Sequence, residues 1–252
     1  MLKIEHLNLS FGGLKATNDI CMHLKPGEIT ALIGPNGAGK TTLFNQITGV
    51  YAPDSGTITF NGTQIQGKQP YEITGLGISR TYQVINLFRN MSVLDNVLVG
   101  MTTRLKSGFW SDLCHAPKMR AEEKAAREKA MELLEFVGLT KNKDDLAGSL
   151  SYGNQRLLEI VRGMACDPKL ILLDEPAAGM NSAEKEDLNV LIRRIVERGI
   201  SVLIVEHDMK LVMDIADKIF VIEYGTNLAD GTPAEIQANP EVIRAYLGGD
   251  DD

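Results

Sequence analysis

Glycines, a lysine and two threonines follow one another in the sequence at the spacing of a phosphate-binding loop. The glycines allow the backbone to bend so that successive N–H groups point at phosphate oxygens. The lysine brings a positive charge to the phosphates, and the first threonine hydroxyl can ligate Mg²⁺. The sequence therefore predicts a nucleotide-binding loop that consists of Gly34, Pro35, Asn36, Gly37, Ala38, Gly39, Lys40, Thr41 and Thr42, with Thr41 also a metal ligand.

Two adjacent acidic residues, Asp174 and Glu175, follow the apolar run from Leu170 to Leu173. A buried strand would deliver them to the carboxyl edge of a sheet, where open α/β folds bind ligands. We predict that Asp174 binds Mg²⁺ and that Glu175 is the general base that deprotonates an attacking water, a contribution of roughly 10²–10⁴-fold. Without the phosphate loop, two solvated acids at a strand end would be the better interpretation.

Two further segments bear on the nucleotide base. Asn142-Lys143-Asp144-Asp145 fits the N-K-x-D pattern that reads guanine, but no apolar strand precedes it, so we interpret it as a solvated turn. Phe11 is the candidate for stacking on adenine, as aromatic side chains do on nucleobases, although a place in the core would also suit it. These features favour ATP over GTP.

A sheet edge and a helix are needed to position these residues. A strand is predicted from Glu28 to Ile33, before the phosphate loop, and a helix from Thr41 to Ile47, after it. The strands Gly56 to Phe60 and Thr63 to Ile65 flank Asn61-Gly62, the strongest short hairpin signal. An antiparallel N-terminal β-subdomain is therefore predicted, and a purely parallel sheet is not expected.

The middle of the chain has a different pattern. Strand-like runs are absent from Ser92 to Val137, where apolar residues recur at helical spacing. Strands and helices alternate again afterwards, with a helix predicted from Ser182 to Arg198. The prediction is an α/β fold whose nucleotide-binding core, residues 1–83 and 161–252, carries an inserted α-helical subdomain, residues 84–160.

The composition argues against several classes of protein. The 252 residues carry a net charge of −7, which disfavours nucleic acid as a partner. Cys21, Cys114 and Cys166 are too few and too widely spaced to indicate a disulfide framework or a zinc site, and they fit a reducing, cytosolic compartment. No apolar run approaches the roughly 20 residues that cross a bilayer, so another chain would have to supply any membrane span.

Several motifs along the whole chain resemble, in the same order, those of the ATP-binding cassette (ABC) family. The segment Leu150 to Gln155 is similar to the family signature L-S-G-G-Q, with Tyr152 in place of a glycine and Asn154 in place of a glutamine. In that family, two cassettes face head to tail, and the signature of one encloses the ATP of the other. The resemblance implies a RecA-like P-loop core and ATP contacts in trans from Ser151, Gly153 and Asn154.

Four other positions match motifs of the same family. Gln83 matches the Q-loop, and the resemblance implies that it contacts the metal ion and takes part in catalysis. His207 matches the switch histidine, which contacts the γ-phosphate, although a lone histidine would fit a structural role better. Phe11 stands where the family has its A-loop aromatic residue, and Asn181 stands where the D-loop commonly has aspartate.

Within that family, the sequence is similar to the LivG-type ATP-binding subunits of branched-chain amino acid importers. The resemblance implies ATP and Mg²⁺ as cofactors and a second cassette, identical or different, as a partner. It also implies transmembrane permease subunits, a solute-binding protein as an indirect partner, and a peripheral position on the cytoplasmic face of the inner membrane. The motifs that carry it include Ser10-Phe11-Gly12-Gly13-Leu14, Arg80-Thr81-Tyr82-Gln83, Glu175-Pro176-Ala177-Ala178-Gly179 and Glu206-His207-Asp208-Met209.

Two rival functions remain to be weighed against an importer subunit. A soluble ABC ATPase that acts on ribosomes or DNA usually has two fused cassettes or long basic or coiled-coil insertions. A P-loop kinase would leave the signature, the Q-loop and the switch histidine unexplained. The importer hypothesis predicts a docking groove, for which the candidates are Val84, Ile85, Leu87, Phe88 and Met91, and ordinary subdomain core is the alternative.

Overall fold

Two β-sheets form the framework of the protein in the computed structural model, which describes residues 1–102 and 117–247. In these ranges the strands are β1 (Leu2–Phe11), β2 (Leu14–Leu24), β3 (Ile29–Ile33), β4 (Ser55–Phe60), β5 (Thr63–Gln64), β6 (Ile78–Arg80), β7 (Leu170–Asp174), β8 (Ser201–Val205), β9 (Lys218–Glu223) and β10 (Thr226–Gly231). The first sheet is antiparallel, in the order β2-β1-β4-β5. The second has the order β10-β9-β3-β8-β7-β6 and is parallel except for the β9–β10 pair.

Helices cover both faces of the second sheet. They are α1 (Lys40–Ile47), α2 (Pro70–Leu76), α3 (Val93–Gly100), α4 (Pro117–Phe136), α5 (Tyr152–Met164), α6 (Ser182–Glu197), α7 (Met209–Ile215), α8 (Pro233–Gln237) and α9 (Pro240–Leu247). The helical pattern predicted between Ser92 and Val137 is confirmed by α3 and α4. No helix in the described ranges combines the length and apolar character of a membrane span. Cys114 lies outside the described residues.

The predicted hairpin and the predicted surroundings of the phosphate loop are confirmed. Asn61 and Gly62 both have positive φ angles, as a two-residue hairpin turn requires, and they join β4 to β5. The phosphate loop runs from the end of β3, at Ile33, to the start of α1, at Lys40. The strand and the helix therefore hold both ends of the loop.

Strand β2 is hard to read from sequence because its alternation is broken by irregular backbone. Buried positions follow a period of two from Ile20 to Leu24, but Asp19 has a φ of 59° and interrupts that period. His6, in the facing part of β1, has a φ of 50°, and the pairing of the two strands shifts register beside it. Such bulges bend a sheet and displace side chains from strict alternation.

Strand β7 separates two hydrophobic cores. Ile171 and Leu173 face a core that includes residues of α3 to α6, whereas Leu170 and Leu172 face a core with α1 and the antiparallel sheet. A strand buried on both faces is apolar throughout, which explains the run before Asp174. The core of the helical region is continuous with one face of the sheet, and the boundaries at residues 84 and 160 stay a prediction.

Candidate functional site

A cavity of about 440 Å³ lies at the carboxyl edge of the second sheet. This size falls within the range of small-molecule sites. The structure brings most of the predicted nucleotide site together there, whereas Gly34, Pro35 and Asp174 are not among the residues that line the cavity. The lining consists of Phe11, Leu14, Lys15, Ala16, Asn36, Gly37, Ala38, Gly39, Lys40, Thr41, Thr42, Gln83, Glu175, His207 and Tyr224.

The phosphate loop requires glycine at the point where strand β2 of the same chain approaches it. Gly39 has a φ of 103°, and a Cβ atom there would lie 2.3 Å from the carbonyl oxygen of Ala16. Gly39 is also the N-cap of α1 and supplies no side-chain cap for the first turn. Because N–H groups at a helix N-terminus have no partner within the helix, they can bind an anion at this end.

Lys40 is buried and its ammonium group lies inside the phosphate loop. Its Nζ atom donates to the carbonyl oxygens of Gly34 at 2.7 Å and Pro35 at 2.9 Å. Burial lowers the pKa of Lys40, and the negative charges of Glu175 and Asp174 oppose that shift. The lysine charge is therefore held between the loop and the two acidic residues predicted to act with it.

Glu175 is the centre of the polar network in the cavity. Its Oε2 atom accepts from Nε2 of Gln83 at 2.8 Å, and its Oε1 atom lies 2.7 Å from Nε2 of His207. Because an ionised carboxylate can only accept, this geometry assigns the hydrogen to Nε2 of the imidazole. Glu175 has a φ of 47° and donates its own N–H to the carbonyl of Val205. The neighbouring strand thus holds it in an uncommon backbone conformation.

Asp174 is buried at the end of β7 and forms an ion pair with Arg80. Arg80 Nη2 lies 2.7 Å from Asp174 Oδ2, and Arg80 Nη1 donates to Asn45 Oδ1 at 2.7 Å. The sequence motifs gave Arg80 no separate role, although an arginine at the end of a buried strand is itself a signal for a buried acidic partner. Oxygen donors are what Mg²⁺ prefers, so the carboxylate of Asp174 and the side chains of Thr41 and Gln83 fit that ion chemically.

The signature residues lie outside this cavity. Ser151 is the N-cap of α5 and accepts from the N–H of Asn154 at 3.4 Å. Gly153 lies against the start of α6, where a Cβ atom would be 2.9 Å from Oε1 of Glu184. Ser151 and Asn154 are therefore presented at the surface of the molecule, apart from the phosphate loop of the same chain.

Asn181 has a structural part in the same surface. Its side chain accepts from the N–H of Glu184 at 3.0 Å, and the Glu184 carboxylate accepts from the N–H of Asn181 at 2.9 Å. This reciprocal pair is a capping box at the start of α6. Asparagine caps helices about as well as aspartate does, so the exchange at the D-loop position leaves the helix start intact.

A second cavity, the Phe88 groove, has a volume of about 340 Å³. The docking prediction is wrong for Ile85 and Leu87, which are buried in the core, while Phe88 is 49% exposed and lines the groove. The guanidinium of Arg162 lies 5.8 Å from the centre of the Phe88 ring. The groove is lined by Thr48, Pro70, Ile73, Thr74, Ile78, Ser79, Arg80, Tyr82, Asn86, Phe88, Val99, Gly100, Glu159, Arg162, Gly163 and Cys166.

A buried ion pair on α5 connects the groove to the nucleotide cavity. Arg156 Nη1 lies 2.8 Å from Glu159 Oε2, and both side chains are buried. The guanidinium also donates to the carbonyl oxygens of Tyr82 at 2.7 Å and Gln83 at 2.8 Å. Glu159 Oε1 accepts from the N–H of Asn86. In the sequence, this contact is indicated only by an arginine and a glutamate three residues apart in a helix. The same spacing is also found in exposed ion pairs, so it does not predict a buried one.

Matches to known proteins extend along most of the chain. Residues 17–178 match the family model described as ABC transporter, and residues 226–252 match the one described as branched-chain amino acid ATP-binding cassette transporter. LivG of Salmonella typhimurium, a high-affinity branched-chain amino acid transport ATP-binding protein, is 46% identical over 249 residues, 98% of each chain. BraF of Pseudomonas aeruginosa, which has the same description, is 45% identical with the same coverage.

Two solved structures have the same architecture. A nucleotide-free ATP-binding cassette from an ABC transporter matches with a TM-score of 0.85 and 34% identity over 98% of each chain. An ATP-binding cassette of an ABC transporter in its ADP conformation matches with a TM-score of 0.86, again at 34% identity and 98% of each chain. The α/β architecture with an antiparallel sheet and a helical region is therefore confirmed.

Proposed function

Because this chain belongs to the ABC transporter family and is an ATPase of that family, we propose that it powers the import of branched-chain amino acids. The match of residues 226–252 to a family model of branched-chain amino acid cassettes carries the proposal. Relatives of 45–46% identity, all described as branched-chain amino acid transport proteins, support it. The same relatives disfavour the alternative function, a soluble ATPase that takes no part in transport.

In the proposed reaction, Glu175 accepts a proton from the water that attacks the γ-phosphate of ATP. Gln83 and His207 each make one contact with its carboxylate, at 2.8 Å and 2.7 Å. A carboxylate has about four lone-pair sites, so acceptor capacity remains for the water. These contacts keep the carboxylate in one orientation, and a base fixed in this way loses little entropy when the water is bound. Glu175 and His207 are thus proposed as catalytic residues.

The remaining cavity residues bind the nucleotide in this proposal. The loop from Gly34 to Thr42 surrounds the phosphates, and Lys40 carries the charge that offsets theirs. Phe11, which is half exposed and lies edge-on to Tyr51 at 5.2 Å, supplies a ring face for adenine. Thr41, Gln83 and Asp174 would hold Mg²⁺, and that ion, when bound, neutralises phosphate charge.

A second cassette is proposed to complete the site. Ser151, Gly153 and Asn154 lie apart from the phosphate loop of their own chain, at the N-terminus of α5. In a head-to-tail pair, this helix end would approach the γ-phosphate held by the partner, with its free N–H groups directed at an anion. Each chain would then supply one half of two composite sites.

We also infer that the Phe88 groove receives part of a membrane-spanning subunit. An exposed aromatic ring in a concave surface is a typical anchor point for a partner. The groove adjoins the segment that carries Gln83, so movement of the nucleotide site and of the partner would be mechanically connected. This arrangement would place the chain at the cytoplasmic face of the membrane.

The proposed catalytic role is tested by the substitution Glu175→Gln. Glutamine keeps the size of the side chain but cannot take the proton, so ATP hydrolysis by the purified transport complex should fall roughly 10²-fold or more. ATP affinity should stay within about threefold, because Glu175 is proposed to contact the water and not the phosphates. Glu197→Gln, at the exposed end of α6, is the matched control. Near-normal turnover of Glu175→Gln would reject the assignment.

A further inference from the structure

Glu206 is a buried carboxylate to which no motif assigns a function. It follows β8 directly and is 4% exposed. Its Oε1 atom accepts from the N–H of Ala177 at 2.7 Å, and its Oε2 atom accepts from the N–H of His207 at 3.2 Å. Burial raises the pKa of Glu206, whereas the N–H groups of Ala177, His207 and Asp208 oppose that shift.

The backbone amides that Glu206 binds belong to the two loops that carry the candidate catalytic residues. Ala177 lies two residues after Glu175, and His207 is the next residue after Glu206. One side chain thus connects the loop after β7 to the loop after β8. Burial of a carboxylate costs free energy unless its oxygens accept hydrogen bonds. The bonds that Glu206 accepts meet this requirement, and they also connect the two loops.

We propose that Glu206 is a positioning residue that holds Glu175 and His207 at hydrogen-bonding distance from each other. Glu175 has a positive φ angle, and such a conformation persists only where its surroundings fix it. One contact is the Glu175 N–H to the Val205 carbonyl at 2.9 Å, and the Glu206 bond to Ala177 is the second. The inference rests on the roles proposed above for Glu175 and His207.

Two substitutions of Glu206 separate this role from simple stabilisation. Glutamine offers one oxygen acceptor, and its NH₂ group would face a backbone N–H, so Glu206→Gln should keep one of the two anchors. Alanine keeps neither. Because small displacements of reacting groups can cost about 10²-fold, kcat for ATP hydrolysis by the full-length chain should fall about tenfold in Glu206→Gln and up to about 10²-fold in Glu206→Ala. ATP affinity should change by less than about twofold, since Glu206 lies outside the cavity lining.

A control for the loss of a carboxylate that binds a backbone amide is available at the opposite edge of the same sheet. Asp217 Oδ2 accepts from the N–H of Ile29 at 2.8 Å, so it too joins two elements through a backbone amide. Asp217→Asn should leave kcat unchanged. Ring signals of His207 in the NMR spectrum should shift in Glu206→Gln, while those of His6 and His23 should keep their positions.

A double variant tests whether Glu206 acts through His207. If it does, Glu206→Ala combined with His207→Ala should lose less activity than the product of the two single losses. The proposal would be overturned if the two losses multiplied fully or if kcat were unchanged in both Glu206 variants. It would also be overturned by an equal loss of activity in Asp217→Asn or by unfolding of both Glu206 variants. Normal turnover in Glu175→Gln would instead reject the catalytic role itself, which is a distinguishable failure.

Discussion

One short segment, residues 80–88, contributes to both the nucleotide cavity, through Gln83, and the Phe88 groove, but the two regions are built differently. In the cavity, Glu175 is held by hydrogen bonds from two other side chains before any nucleotide contact is considered. In the groove, the Phe88 ring is half exposed and has a guanidinium beside it. A catalytic site needs fixed polar groups, whereas a binding site for a partner can leave an aromatic ring exposed until the partner covers it.

The tie between the two regions is made by α5. Arg156 binds the carbonyl oxygens of Tyr82 and Gln83, and its partner Glu159 binds the N–H of Asn86. The segment is thus fixed to a helix whose N-terminus carries the signature residues. In the proposed head-to-tail pair, the same helix end would meet the partner's nucleotide, so α5 would transmit displacement from that interface to the groove.

The largest expected effect is the loss of assembly in Phe88→Asp. A charged carboxylate in the proposed docking groove would have to lose its water on contact with an apolar partner surface, which opposes binding. We expect the variant to fail to co-purify with membrane subunits while its ATP affinity stays unchanged.

Val190→Asp is the control for Phe88→Asp. Val190 lies on α6, is 56% exposed and is not part of the groove lining, so the added charge should leave assembly intact. Assembly of Phe88→Asp at the wild-type level would show that the groove is not the docking surface.

Removal of the contacts that Arg156 makes should have the next largest effect. Arg156→Ala would leave the buried carboxylate of Glu159 without its charge partner and two backbone carbonyls without donors. Breaking a buried pair in this way typically costs about 3–5 kcal/mol of the free energy of unfolding, which urea denaturation measures. Lys124→Ala, which removes an exposed pair with Glu128 on α4, should cost less than about 0.5 kcal/mol. Equal stabilities of the two variants would contradict the inferred role of Arg156.

The sequence was most informative where one local pattern determines one structure. The phosphate loop, the hairpin at Asn61-Gly62 and the apolar run before Asp174 each depend on neighbouring residues alone, and each was found as predicted. Glycine spacing and continuous apolar character reflect backbone geometry and burial directly.

Pairings between distant segments could not be read in the same way. Arg80 meets Asp174 across two strands that are 94 residues apart, and Glu206 meets Ala177 across 29 residues. Phe88 and Leu87 are neighbours with similar character, yet one lines a groove and the other lies in the core. Such differences depend on the direction of each side chain in an irregular segment, which has no period to reveal it.

The smallest expected effect distinguishes the two regions by their response to acid. Asp208 is the N-cap of α7 and follows His207 at the edge of the cavity. The hydrogen bond from Lys185, at 2.6 Å, lowers the pKa of Asp208, as does the N–H of Leu211. A carboxylate whose pKa is lower in the folded state than in the unfolded state stabilises the fold above the ordinary carboxyl pKa of about 4. That contribution is lost as the pH falls through the folded-state pKa.

In the groove, by contrast, Arg162 keeps its charge throughout this pH range, because a guanidinium does not deprotonate in proteins. The groove carboxylate on α5, Glu159, is held away from water in its ion pair with Arg156. Acid should therefore increase hydrogen exchange of the α7 amides before that of the α5 amides. Asp208→Asn should remove most of this pH dependence at α7 and lower its protection near neutral pH, with a smaller effect than Arg156→Ala because the Lys185 pair is partly exposed. Glu235, whose pKa is also lowered, by hydrogen bonds from Thr232, must be replaced by glutamine in a parallel variant, since it lies in α8, which contacts α7, and titrates in the same direction. If α5 and α7 lost protection together at the same pH, the two regions would share one acid-sensitive tie and the contrast drawn between them would be wrong.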